Sequence, residues 1–75
     1  MPFVNVKLIE GVFSPDQKRD MIAKLTDTMV AIEGENMRGV TWVVLEEVTS
    51  GEWGIGGQAL STADVKALAA GAPAG

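Results

Sequence analysis

Alternation and three-to-four spacing of apolar residues divide this chain into a few short elements. Val4, Val6 and Leu8 alternate with Phe3, Asn5, Lys7 and Ile9, so residues 2–9 read as a strand. The first set makes an apolar face. The second is mixed, with Phe3 and Ile9 apolar, and predicts that something covers this face as well. Glu10-Gly11 closes the strand. Met21, Ile22, Leu25, Met29 and Ile32 then recur at helical spacing, with Lys18, Arg19, Asp20, Lys24 and Asp27 mostly on the other side. The start of this helix is marked. Ser14 is the N-cap, Pro15 takes the first helical position, Gln17 completes a capping box, and Asp16 puts negative charge at the positive end of the helix dipole. Phe13, just before the cap, is placed to staple onto Lys18 or Met21. Gly34 is the stop signal, which predicts a helix over 15–33.

A polar link over 34–39 leads to Val40-Thr41-Trp42-Val43-Val44-Leu45, apolar on both faces as a buried parallel strand is. Glu46-Glu47-Val48 is expected to leave the sheet, and Thr49-Ser50-Gly51 to turn. Strand, one long helix and strand make a right-handed βαβ unit with parallel strands. The glycines of Glu52-Trp53-Gly54-Ile55-Gly56-Gly57-Gln58 permit a tight hairpin. Ser61 or Thr62 can cap a short helix running to about Leu68, and 69–75 reads as a flexible tail. The expected class is α+β: one domain over 2–68, a βαβ protomer with a short C-terminal hairpin, assembled as an oligomer. Two strands and one helix cannot close a core alone. Two copies joined edge to edge would make four strands with helices on one side. Phe3, Ile9, Trp42 and Val44 would leave the other face apolar, so such dimers would pack again, sheet face inward.

Composition supports assembly. A chain of 75 residues hides only about 60% of its unfolded surface when folded alone. It has no cysteine, so no disulfide compensates. It has no histidine either, which removes a His-based zinc site, a Ser-His-Asp triad and an imidazole base together. The formal net charge is −4, and Lys7, Lys18, Arg19, Lys24, Arg38 and Lys66 are scattered, so no nucleic-acid partner is expected. There is no apolar run of membrane-spanning length and no secretory segment, and a Met-Pro start leaves no room for a signal peptide. A soluble, cytoplasmic protein without a membrane partner is the expectation.

Two stretches carry candidate chemistry. Gly54, Gly56 and Ala59 fit a dinucleotide-binding pattern, G-x-G-x-x-A, but no full βαβ unit follows, and Asp64 comes too soon for the acidic partner. The match is set aside. Pro2 is the other. A small residue after the initiator methionine allows the methionine to be clipped, and the proline nitrogen then becomes a secondary amine. Apolar surroundings disfavour its charged form, which yields a neutral base near pH 7. Taken by itself, Pro2 reads first as a proline that happens to stand second, and only then as a base.

Together the residues resemble one family. Pro2 opens a strand, Leu8-Ile9-Glu10-Gly11 ends it, and Ser14-Pro15-Asp16-Gln17-Lys18 starts the helix. Glu46-Glu47-Val48 and the Gly51-Glu52-Trp53-Gly54-Ile55-Gly56-Gly57 hairpin follow. Over residues 2–60 this is similar to the 4-oxalocrotonate tautomerase family of the tautomerase superfamily. The resemblance implies a homohexamer built as a trimer of dimers, with no cofactor and no metal. It implies that Pro2 is the general base, moving a proton between the enol oxygen and a carbon of an unsaturated 2-oxo acid or dienol. It makes Trp53 part of an apolar wall that lowers the amine's pKa, with Ile55 beside it, and neighbouring subunits complete each pocket.

The chain departs from the family at two positions. Relatives acting on dicarboxylates carry an arginine just after Glu-Gly, where Val12 stands here, and a second in the second strand, where Trp42 stands. A forked guanidinium grip on a carboxylate has no apolar substitute. Trp42 therefore joins Trp53 and Ile55 as a substrate-binding expectation in a pocket suited to a small unsaturated or aromatic 2-oxo acid. Arg38 reads first as a solvated loop charge and second as a cation reaching a pocket shared with another subunit. Lys7 reads first as a half-exposed strand lysine and second as a substitute cation near Pro2. Two alternatives stay open: a proline-based hydratase, and a non-catalytic structural subunit of a mixed oligomer.

Overall fold

Helix α1, Pro15–Glu33, starts where its capping signals place it. The Gln17 N–H donates to Ser14 Oγ at 3.1 Å, and the Ser14 N–H donates to Gln17 Oε1 at 2.9 Å, so both halves of the capping box form. In this computed structural model, which describes residues 1–71, the chain runs through β1 (Phe3–Ile9), α1, a 3-10 helix (Glu35–Val40), β2 (Trp42–Val48), β3 (Trp53–Ile55), β4 (Gln58–Leu60) and α2 (Thr62–Ala69). β1 and β2 are parallel. The Trp42 N–H donates to the Pro2 carbonyl at 3.1 Å and the Glu10 N–H to the Val48 carbonyl at 2.9 Å, which sets Phe3 beside Trp42 and Ile9 beside Val48. β3 and β4 form an antiparallel hairpin in which Trp53 faces Leu60 and Ile55 faces Gln58. Its turn residues, Gly56 (φ +58) and Gly57 (φ +83), both lie in the left-handed region that a two-residue hairpin demands.

The molecule thus has the expected α+β class, with a parallel βαβ unit and a C-terminal hairpin. Three boundaries differ from the sequence expectation. The link after α1 is not irregular but a 3-10 helix that takes up Val40, so β2 begins at Trp42 rather than Val40. The Thr41 hydroxyl donates back to the Met37 carbonyl at 2.7 Å, which holds the last turn closed. At its other end β2 includes Glu46, Glu47 and Val48, because the Val48 carbonyl still pairs with β1. α2 runs one residue past Leu68, so Ala69, the first residue of the expected tail, is helical; 72–75 lie outside the described residues.

Packing divides the chain into two compact units: Met1–Val6 with Ser14–Glu46, and Lys7–Phe13 with Glu47–Gly75. In the first, Val30 is the buried residue of α1, at 5% exposure, while Ile32 is 78% exposed. The sequence reading placed Ile32 on the inner stripe and omitted Val30. Half-buried Met21, Leu25, Thr26, Met29 and Glu33 show the stripe rotated toward Val30. Val4 and Val6 are half-buried, whereas Phe3 and Trp42 on the opposite sheet face are 61% and 54% exposed. The second face is therefore open at its Phe3–Trp42 end in a single chain, while Val44 and Ile9 on the same face are half-buried and buried. In the second unit Ile9 is buried at 5%. Among the described residues no helix is long and apolar enough to cross a membrane.

Candidate functional site

In the first unit, Pro2 is half-buried in a recess of about 250 Å³ that it shares with Met1, Phe3 and Trp42. The register explains the grouping. Phe3 and Trp42 are neighbours on one sheet face, and the bond from the Trp42 N–H to the Pro2 carbonyl fixes Pro2 just before the pair. The recess is apolar. Met1 projects from it at 80% exposure, and with Met1 attached the Pro2 nitrogen is an amide.

Arg38 belongs to the same unit but is committed to other partners. Its Nε donates to Glu35 Oε1 at 2.8 Å and its Nη1 to Asp27 Oδ1 at 2.8 Å, which clamps the 3-10 helix to α1. The hydrogen bond from Arg38, and then its charge, hold the Glu35 carboxyl below its ordinary range. The bonds to Glu35 and Asp27 push the guanidinium above its own. On the open sheet face the Asn5 amide donates to Glu46 Oε1.

The second unit holds Trp53 and Ile55 in another pocket, of about 280 Å³. Leu8, Ile9, Phe13, Leu60, Val65 and Leu68 complete its apolar lining, and Lys7 is its one charged residue. Trp53 and Ile55 stand two residues apart on β3 and so share one face of the hairpin. A polar network fixes the surrounding loops. Glu10 accepts the Ser50 N–H on its carboxylate at 3.0 Å and the Thr62 hydroxyl on its carbonyl at 2.6 Å. Ser50 Oγ accepts the Thr62 N–H at 2.8 Å, and the Gly11 N–H donates to Glu47 Oε2 at 3.4 Å. Val12, half-buried, follows directly on this loop.

The structure therefore brings Pro2 to Trp42, and Trp53 to Ile55, and places Arg38 in a three-member ion cluster. Sequence reasoning did not find Phe13, Val65 and Leu68 as pocket residues. The three-residue spacing of Val65 and Leu68 in α2 carried a signal for one inward face. It did not say what that face meets.

Comparison with known proteins matches this arrangement to one group. A family model described as "Tautomerase enzyme" matches residues 2–63. A protein of Dickeya dadantii named as a probable tautomerase is 36% identical over 61 residues, covering 81% of this chain and 90% of its own length. Among solved structures, one of the 4-oxalocrotonate tautomerase isozymes from Methylibium petroleiphilum superposes with a TM-score of 0.68 at 36% identity, over 77% of this chain and 90% of that one. A 4-oxalocrotonate tautomerase homologue superposes with a TM-score of 0.69 at 31% identity, over 85% and 95% respectively.

Proposed function

The chain belongs to the tautomerase family of isomerases, and on that premise we propose that Pro2, freed by removal of Met1, is the general base of a keto–enol tautomerisation of a small unsaturated or aromatic 2-oxo acid. The observation that carries this reading is the setting of Pro2: half-buried beside Phe3 and Trp42, anchored through its carbonyl to Trp42, and preceded by a methionine that stands out in solvent. A secondary amine in such a recess loses basicity because its charged form is poorly solvated. The neutral amine takes the enol hydroxyl proton. The oxygen lone pair forms the carbonyl, the carbon–carbon π pair captures the proton returned from the ammonium at carbon, and the base is regenerated. Trp42, Trp53 and Ile55 are assigned to the substrate-binding wall. Arg38 is assigned to substrate carboxylate binding only if it exchanges Asp27 or Glu35 for that carboxylate.

The protomer is assigned to a homohexamer, a trimer of dimers whose subunits complete one another's pockets. The open sheet face of Phe3 and Trp42 supports this, since it leaves large apolar side chains in water. A second reading is favoured by one observation: apolar Val12 and Trp42 stand where the resemblance leads one to expect arginines. It makes the chain a structural subunit of a mixed oligomer. The deciding experiment uses purified protein whose intact mass shows Met1 removed, assayed on phenylenolpyruvate and on an aliphatic dienol. Turnover by the single pure chain supports the enzyme. Activity only after mixing with a second chain hands the function to the mixed oligomer.

A further inference from the structure

We propose that α2 selects the substrate: Val65 and Leu68 form the wall of a pocket for one apolar, ring-sized group on a 2-oxo acid. The inference rests on the assignment of Trp53 and Ile55 to substrate binding. It starts from a mismatch between family and pocket. The family match ends at residue 63, inside the first turn of α2. Yet Val65 and Leu68, beyond that point, line the same pocket as Trp53 and Ile55. A part of this pocket therefore comes from sequence past the matched segment, and it can set a preference that the family's common residues do not.

The wall is held in place. Ser61 and Asp64 cap each other, with the Asp64 N–H donating to Ser61 Oγ at 3.2 Å and the Ser61 N–H to Asp64 Oδ2 at 2.9 Å. Thr62 is bound twice, to Ser50 and to the Glu10 carbonyl. Gly11 lets the β1 loop approach Thr62 closely, since a Cβ there would stand 3.2 Å from Thr62 Cγ2. The first turn of α2 is thus tied to two loops of its own unit, and Val65 and Leu68, three residues apart, line the pocket from it.

The size and chemistry of the space point to one kind of occupant. At about 280 Å³ it exceeds the roughly 150 Å³ that accepts a benzene. It sits just under the roughly 300 Å³ at which pockets for larger ligands begin. Its lining is apolar except for Lys7. A phenyl or short branched aliphatic group fits, while a second carboxylate would lie against hydrocarbon without a forked partner. Leu68 is 46% exposed, so it stands at the open side, where a change of side chain alters the space more than the fold.

The test compares wild type with Leu68→Trp, which fills the pocket, and Leu68→Ala, which enlarges it. Circular dichroism and light scattering verify fold and assembly. Two readouts are taken: kcat/KM for phenylenolpyruvate against 2-hydroxypenta-2,4-dienoate, and the affinity of unreactive phenylacetate, measured by isothermal titration calorimetry. The expected result is that Leu68→Trp loses about tenfold or more on the aryl substrate and on phenylacetate while the aliphatic substrate is spared. Leu68→Ala should gain on a naphthyl analogue, and carries the test alone if Leu68→Trp does not fold. An unchanged aryl-to-aliphatic ratio and unchanged phenylacetate affinity in the folded variants overturn the proposal. So does a wild-type assembly that binds no phenylacetate but changes size in Leu68→Trp, because the pocket then receives another copy of the chain. If phenylacetate binding responds as expected but no form turns over either enol, α2 keeps its role and the proton-transfer reading falls.

Discussion

The Trp42 N–H donates to the Pro2 carbonyl at 3.1 Å, and this one backbone bond joins the start of the second parallel strand to the proposed base. It comes from main chain, so it survives replacement of either side chain. Substitutions at both positions therefore probe chemistry with the anchor left in place.

Pro2→Ala keeps an amine at the processed terminus but makes it primary and less constrained. It should fold and assemble like wild type and lose most of the turnover. In wild type, turnover should rise with pH as the amine loses its proton, since only the neutral form accepts one. A pH–rate profile on both proteins checks this, and undiminished turnover in Pro2→Ala would remove Pro2 from the mechanism.

Trp42→Arg puts a guanidinium at the position where the resemblance to the 4-oxalocrotonate tautomerase family leads one to expect an arginine. Trp42 is 54% exposed in the single chain, so the change removes little packing within the protomer, and light scattering shows whether the assembly survives it. Activity on a dienol bearing two carboxylates should rise relative to a monocarboxylate. Paired kcat/KM values measure it; an unchanged ratio in an intact assembly means that residue 42 does not face the substrate.

Removing the Arg38 clamp should produce a pH-dependent loss of stability. Glu35 has a folded-state value below its ordinary one, so its contribution is present above the unfolded carboxylate range and is lost as pH falls through the folded value. The melting temperatures of wild type and Arg38→Gln should differ at neutral pH, converge in strong acid, and lie closer together at high salt because the pairs are exposed. A difference that persists in acid would trace instead to lost packing of the arginine stem.

Gly11 and Gly39 should respond oppositely to alanine. Gly11 has φ +78 and faces Thr62, so Gly11→Ala should lose about 1–2 kcal/mol from the left-handed backbone alone. Gly39 has no positive φ and nothing within 4 Å of a Cβ, so Gly39→Ala should be neutral or gain about 0.4–1 kcal/mol. Denaturant midpoints for the two variants distinguish them.

Size in solution tests assembly without any substrate. A hexamer of 7.9 kDa chains should scatter far above the monomer value at micromolar concentration. A monomer there would leave Phe3, Trp42 and Ile55 in water and end the shared-pocket reading.

Local chemistry determined what the sequence showed by itself. The α1 boundaries follow from Ser14, Pro15, Gln17 and Gly34, and the hairpin from Gly56-Gly57, because caps and tight turns are decided by residues three or fewer apart. The motif of Pro2, Glu10-Gly11 and the Trp53 hairpin pointed to the family, since its parts stand at set places along the chain. Tertiary structure decided what depends on distant partners. Val30 rather than Ile32 is buried, because a helix stripe more than 100° wide can rotate until its neighbours choose the centre. The β2 start moved to Trp42 because a 3-10 turn, closed by Thr41 on Met37 and clamped by Arg38 on Asp27, competed for Val40. Val65 and Leu68 became pocket residues only because Thr62 is bound to Ser50 and Glu10, groups 12 and 52 positions away that no local pattern pairs with it.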